Sequence, residues 1–139
     1  MKKRFLYLFL ILTAGLFSLT ACYSPTDDLP DDPIVFQFGE TIIDNEEYVT
    51  LEHDGKVYIP YGMIKPRRFG GLSYAYGDCL GYVGDDEADL VYALTGESTD
   101  EWLIEYYYSG LMDQPMVFRE ISASGDKIPN CVERFDDAD

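Results

Sequence analysis

Between residues 34 and 121, apolar residues fall in groups of strand length broken by turn formers roughly every ten positions, without a sustained helical period. Residues 34–38 form the first group, which ends at Gly39. Residues 48–52 and 56–60 flank His53-Asp54-Gly55, and Asp-Gly between β-forming arms predicts a tight hairpin, because both residues accept a positive φ. Pro60 has no amide donor, so its strand is expected to end there or to lie at an edge. Residues 79–83 and 90–94 pair across the acidic turn 84–89, and residues 116–121 supply a last strand.

Two segments are less regular. Residues 61–78 contain Pro66, Gly70 and Gly71 and read as a loop. Over residues 101–108 the signals conflict: Ser98 and Glu101 have capping-box spacing and Gly110 stands where a helix would stop. Against that, Tyr106-Tyr107-Tyr108 has poor helix and good strand propensity, and Trp102, Ile104, Tyr106 and Tyr108 would share one face of a strand. The strand is preferred. The chain is therefore expected to be mainly β, a small antiparallel β sandwich or barrel of about six or seven strands in a single domain over 34–139. The alternative is α+β, with one helix near 99–109.

Residues 1–21 follow another pattern. Met1-Lys2-Lys3-Arg4 is a positive start, residues 5–12 are an unbroken apolar run, and small residues lead to Ala21, which is the anatomy of a secretory signal peptide. A retained membrane helix is the rival reading, but Thr13, Gly15, Ser18 and Thr20 make residues 5–21 a poor match to the roughly 20 apolar residues that span a bilayer. Leu19-Thr20-Ala21-Cys22 resembles the lipobox of bacterial lipoproteins. The resemblance implies that Cys22 is diacylated and becomes the first residue of the mature chain, on the outer leaflet of the cell membrane. In a bacterium with two membranes, Tyr23 after the cysteine is compatible with the outer one. Two acyl chains, at ~0.8 kcal/mol per buried methylene, make such an anchor durable.

Residues 22–33 hold three prolines and four aspartates with little to bury, and are expected to form a disordered tether reaching up to about 30 Å. Loss of the leader removes Lys2, Lys3 and Arg4, so Lys plus Arg falls from 10 to 7 against 26 Asp plus Glu and the net charge becomes about −19. Such a surface repels nucleic acid and anionic lipid heads and suits a cationic partner. With Cys22 assigned to lipid, Cys79 and Cys131 remain as a pair in a compartment that permits disulfides. A bond between them would close a loop of about 50 residues, worth roughly 4 kcal/mol in the chain-entropy view; two free thiols are the alternative.

Candidate chemistry is sparse. Lys65, Arg67 and Arg68 concentrate cations in an otherwise acidic chain, on a loop long enough to carry function. Tyr74 and Tyr76 follow and offer rings that stack on sugars. The plainer readings are charge balance for the cations and strand packing for the tyrosines. His53, the only histidine, sits at the hairpin turn without a nucleophile or an orienting carboxylate in recognisable relation to it. Residues 84–89 fail the calcium-loop template, since Leu90 stands where glycine is needed. No CxxC or HExxH spacing points to a metal, no glycine-rich phosphate loop or GxSxG is present, and no cofactor is indicated. Glu101 and Glu105 are a carboxylate pair that would matter only if they faced each other in a cleft.

Tyr58-Ile59-Pro60-Tyr61-Gly62, Cys79-Leu80-Gly81-Tyr82 and Gln114-Pro115-Met116-Val117-Phe118 give the stretch 48–121 a resemblance to small lipoproteins of Gram-positive bacteria. It implies the surface of a single-membrane cell and carries no activity across. The leading expectation is a membrane-anchored surface module, not an enzyme, that binds an envelope polymer, a peptide or a partner protein through Lys65, Arg67, Arg68, Tyr74 and Tyr76. A structural or immunity-type component of a membrane-associated complex is the alternative, and a hydrolase using paired carboxylates is less favoured. Oligomeric state is not written in the sequence.

Overall fold

Tight turns set the geometry of the first three strands. In the computed structural model, which describes residues 24–108, 114–125 and 127–137, Asp44 and Asn45 (φ +52° and +68°) join β1 (Ile34–Ile43) to β2 (Glu46–His53). Asp54 and Gly55 (φ +49° and +76°) join β2 to β3 (Lys56–Ile64). Positive φ at both central residues matches the right-handed twist of the flanking strands. The second turn is the expected hairpin. The first carries β1 past Gly39 to Ile43, well beyond the expected strand. The leader and Cys22 lie outside the described residues.

Five more strands follow: β4 (Tyr76–Val83), β5 (Asp86–Leu94), β6 (Trp102–Tyr107), β7 (Met116–Glu120) and β8 (Val132–Arg134). The sheet runs β2-β1-β4-β5-β6-β7-β3, and pairing of β2 with β3 closes it into a seven-stranded barrel, with β8 added to β3. The protein is thus mainly β, as its pattern predicts. Every junction is antiparallel except β1 with β4, where Ile34 lies beside Gly81 and Phe36 beside Val83. A Cβ on Gly81 would stand 1.8 Å from the Ile34 carbonyl oxygen, so this seam requires glycine.

Alternation produces two apolar layers. Phe36, Leu51, Tyr58, Val83, Val91, Leu103 and Phe118 form one cluster, with one residue from each barrel strand. The opposite faces of β5, β6 and β7 bury Leu90, Tyr92, Leu94, Trp102, Ile104 and Val117 in a second cluster. Barrels normally leave that outer face to solvent; here Leu29, Leu72, Ile128 and Val132 cover it. Both faces of β5 and β6 are therefore buried, which explains their near-continuous apolar runs.

Several expectations change. β3 does not end at Pro60 but continues to Ile64, with a register shift on the β7 side between Pro60 and Gly62. Along its other edge β2 pairs only through Tyr58 and β8 takes over at Gly62, so the residue without a donor falls where the two partners change over. The 61–78 loop is accordingly shorter, and β4 begins at Tyr76. The 84–89 turn shrinks to Gly84 and Asp85, since β5 starts at Asp86. The helix near 99–109 does not form. Ser98 does cap, accepting the Asp100 amide at 3.2 Å on its Oγ and the Trp102 amide at 2.9 Å on its carbonyl, but it closes a turn that delivers Trp102 into β6 between β5 and β7. Part of the expected tether is ordered: Pro25–Asp28 forms a 3-10 turn, Leu29 packs on the outer cluster, and Asp28 accepts the Tyr92 phenol at 3.0 Å.

Candidate functional site

The basic loop descends from the end of β3 and is held at its root. Lys65 donates its amide to the Cys131 carbonyl at 2.8 Å, and its own carbonyl accepts the Tyr74 phenol at 2.6 Å. Tyr74 lies in a 3-10 turn, Ser73–Ala75, whose Ala75 carbonyl accepts the Thr95 amide at 2.9 Å. These bonds bring β3, the turn and the Cys131 segment around one open cleft of about 470 Å³. Lys65, Arg67, Tyr74, Glu97, Asn130 and Cys131 supply its polar lining. The Arg67 guanidinium sits 3.6 Å from the centre of the Tyr74 ring, a cation–π contact that orders an otherwise free side chain.

Two of the five candidate ligand residues lie elsewhere. Arg68 stands near the Phe69 ring, 5.9 Å from its centre, at an exposed loop tip. Tyr76 opens β4 on the other side of the Ser73–Ala75 turn and lines a second cleft of about 410 Å³ with Tyr92, Tyr106 and Tyr108. The first cleft thus gathers Lys65, Arg67 and Tyr74, with Glu97 and Asn130 arriving from distant segments that carry no local sequence signal.

Cys79 and Cys131 are free thiols, each partly buried, so the expected disulfide is not formed. Cys79 lies in β4 opposite Tyr92 and lines the tyrosine cleft, whereas Cys131 lines the basic one. Burial pushes both thiols above their ordinary range; at Cys131 a backbone bond, Arg67 and Lys65 act the other way, and Glu97 adds to the rise. Neither thiol is poised as a nucleophile at neutral pH.

The carboxylates are also rearranged. Glu101 sits exposed on the turn before β6, and four residues along a strand are about 13 Å, so Glu101 and Glu105 do not form the facing pair a helix would have made. Asp89 faces Glu105 instead. The residue is 7 % exposed, Oδ1 has no hydrogen-bond partner, and burial raises its pKa, with a bond from Glu105 opposing the rise and Asp86 adding to it. Neither acid lines either cleft, so the pair has no substrate-sized space beside it there. His53 is exposed at the end of β2, with its ring 5.3 Å from that of Phe36. Among the described residues no group of three or more His, Cys, Asp or Glu is placed to hold a metal.

Arg119 forms a separate aromatic cluster. Its guanidinium lies 5.1 Å from the Trp102 ring and 5.6 Å from Tyr61, and it donates to the carbonyls of Ala123 and Gly125. It ties the 121–125 turn to the barrel. No family model matches the chain, nor does any curated protein or solved structure.

Proposed function

We propose that this protein is a membrane-anchored, extracytoplasmic binding module that holds a phosphate-bearing envelope polymer at the cleft around Lys65, Arg67 and Tyr74. The convergence of Lys65 and Arg67 on one cleft, in a chain of net charge −16, is the observation that carries the reading. Charge balance alone would scatter the cations over the acidic body. Arg67 is instead ordered on Tyr74, and Lys65 is fixed at its backbone on both sides. A guanidinium presents a planar fork of donors suited to phosphate oxygens, an ammonium adds a point charge, and Asn130 offers a neutral donor. Such a site takes one phosphate group at a time, and multiple weak contacts along a polymer add up through effective concentration.

The anchor belongs to the same proposal. Lipidation of Cys22 sets the domain beside the membrane, and the docked Pro25–Asp28 turn shortens the free tether, keeping the cleft close to the envelope layer nearest the lipid. The test is co-sedimentation of the full chain with cell-wall preparations that carry, or have been chemically stripped of, their phosphate polymer. Binding should be lost on stripping and in the Lys65→Ala/Arg67→Ala double variant. Equal binding to both preparations would refute the polymer reading. Incorporation of labelled palmitate that disappears in Cys22→Ser tests the anchor independently.

A further inference from the structure

The β1–β2 hairpin outgrows the barrel it belongs to. β1 pairs with β4 only from Ile34 to Phe36, and β2 pairs with β3 only from Leu51 to His53. Beyond those contacts, from Gly39 with Thr50 to Ile43 with Glu46, the two strands pair only with each other. Among the described residues no strand lies along the outer edge of residues 37–43. One bond fixes the backbone direction: the Phe36 carbonyl accepts the Gly84 amide at 2.8 Å, so it points away from β2. Backbone groups alternate along an antiparallel strand, so Phe38, Glu40 and Ile42 turn their amides and carbonyls the same way, to the unpaired edge.

The side chains of these residues share a face as well. Within the barrel that face buries Phe36 and Leu51, at 3 % and 0 % exposed; past the rim Phe38, Val49 and Ile42 are 53, 54 and 73 % exposed. Glu40 lies beside Val49 and Glu47 beside Ile42, so apolar and acidic side chains alternate over the ribbon. Asp44 and Glu46 add carboxylates at its tip, and no Lys or Arg occurs between residues 34 and 55. Exposed edge strands are normally blunted by lysine, proline, a bulge or brevity. This edge has neither lysine nor proline, and its pairing with β2 runs to the turn without a bulge.

A second copy of the chain fits the edge poorly. Antiparallel self-pairing that sets Phe38 opposite Ile42 also sets Glu40 directly opposite its own counterpart, and like charges so placed are destabilising. The same register becomes favourable when the incoming residue is a cation. We infer that the free edge of β1 takes up an extended segment of another protein as an added antiparallel strand, with apolar side chains opposite Phe38 and Ile42 and a lysine or arginine opposite Glu40. Main-chain bonds to Phe38, Glu40 and Ile42 supply affinity, and the apolar-basic-apolar spacing supplies selectivity. The acidic tip draws such a segment in, most strongly at low salt. No residue of β1 or β2 lines the basic cleft, so the inference does not rest on the phosphate reading.

Two peptides of one composition separate strand addition from simple charge attraction. Lys-Val-Thr-Lys-Thr-Val-Lys carries the spacing; Lys-Thr-Val-Lys-Val-Thr-Lys keeps the charge but moves both valines to the face opposite the central lysine. The full chain in detergent micelles is titrated with each while backbone amides are followed by NMR and hydrogen exchange. The first peptide should give saturable shifts at Phe38, Glu40 and Ile42 and slow the exchange of their amides about tenfold or more, and the second should bind about fivefold or more weakly. Glu40→Lys, at an exposed position, should weaken the first peptide several-fold, and Lys65→Ala should leave it unchanged. Equal affinity for the two peptides would overturn the inference, as would binding that persists unaltered in Glu40→Lys or shifts confined to residues 46–50. Protection of the three amides before any peptide is added would overturn it too, since the edge would already be filled by the chain itself or by a second copy.

Discussion

Gly62 is where a single methyl group should open the basic cleft. A Cβ there would stand 2.0 Å from the Glu133 carbonyl oxygen, 2.9 Å from its carbon and 3.1 Å from the Arg134 Cα, all backbone atoms that cannot turn aside. Gly62→Ala must therefore push β8 off β3, since Gly62, Met63 and Ile64 pair with Arg134, Glu133 and Val132. The released interactions are the ladder hydrogen bonds of this short pairing, at ~1 kcal/mol each, and the burial of Val132, now 2 % exposed, at ~1.5–3 kcal/mol. Together they amount to roughly 3–5 kcal/mol, an upper value because the strand can settle in a shifted position. The seven barrel strands do not need β8 to close, so the loss should be local. Hydrogen exchange followed residue by residue reads this directly: the amides of Lys65 and Val132, bonded to Cys131 and Pro129, should exchange about 100-fold faster or more, while Leu103 and Val91 change far less. Unchanged exchange at Lys65 and Val132 would refute the close packing of β8 on Gly62. A uniform rise across the barrel would instead show that β8 is integral to its closure.

Asp89 should limit stability at neutral pH. Its folded-state pKa lies above the unfolded one, so its contribution is most favourable below the unfolded value near ~4 and is lost as pH rises through the folded value. Asp89→Asn, whose amide can donate to Glu105, should therefore raise the melting temperature at pH 7, with the gain shrinking as pH falls toward ~4; a gain that grows on acidification would contradict this. Leu103→Ala removes a residue 1 % exposed inside the barrel and should cost 2–5 kcal/mol by denaturant titration. Mass spectrometry after alkylation without reductant should find Cys79 and Cys131 both modified in the unfolded chain, and both slow to react in the folded one at pH 7.

Turn chemistry and alternation made most of the barrel legible. Asp54-Gly55 marks its hairpin because both residues accept positive φ; Asp44-Asn45 turns the same way, but asparagine carries a weaker signal than glycine. Trp102, Ile104, Tyr106 and Tyr108 share a face as a strand requires, and the helix signal at Ser98 proves to be a cap on a turn. Pro60 misleads because its missing donor matters only along an edge, and that edge changes partner from β2 to β8 at this place. Closure of the barrel was not legible, since the parallel seam at Gly81 joins residues far apart in sequence and nothing near Ile34 announces it. For the same reason the site was half visible. Lys65, Arg67 and Tyr74 lie within one stretch, whereas Glu97 and Asn130 reach the cleft through the fold, and strand direction turns Tyr76 away from its neighbour Tyr74 into a different cleft.

Whether the basic cleft recognises phosphate is tested most directly by backbone NMR of the full chain during titration with a glycerol-phosphate oligomer. Phosphate recognition there predicts saturable shifts at Lys65, Arg67, Ala75 and Asn130, loss of those shifts in Lys65→Ala/Arg67→Ala, and affinity about fivefold higher in Glu97→Gln, where one charge of the wrong sign leaves the cleft wall. Shifts that spread over the acidic surface, persist in the double variant, or weaken in Glu97→Gln would contradict it.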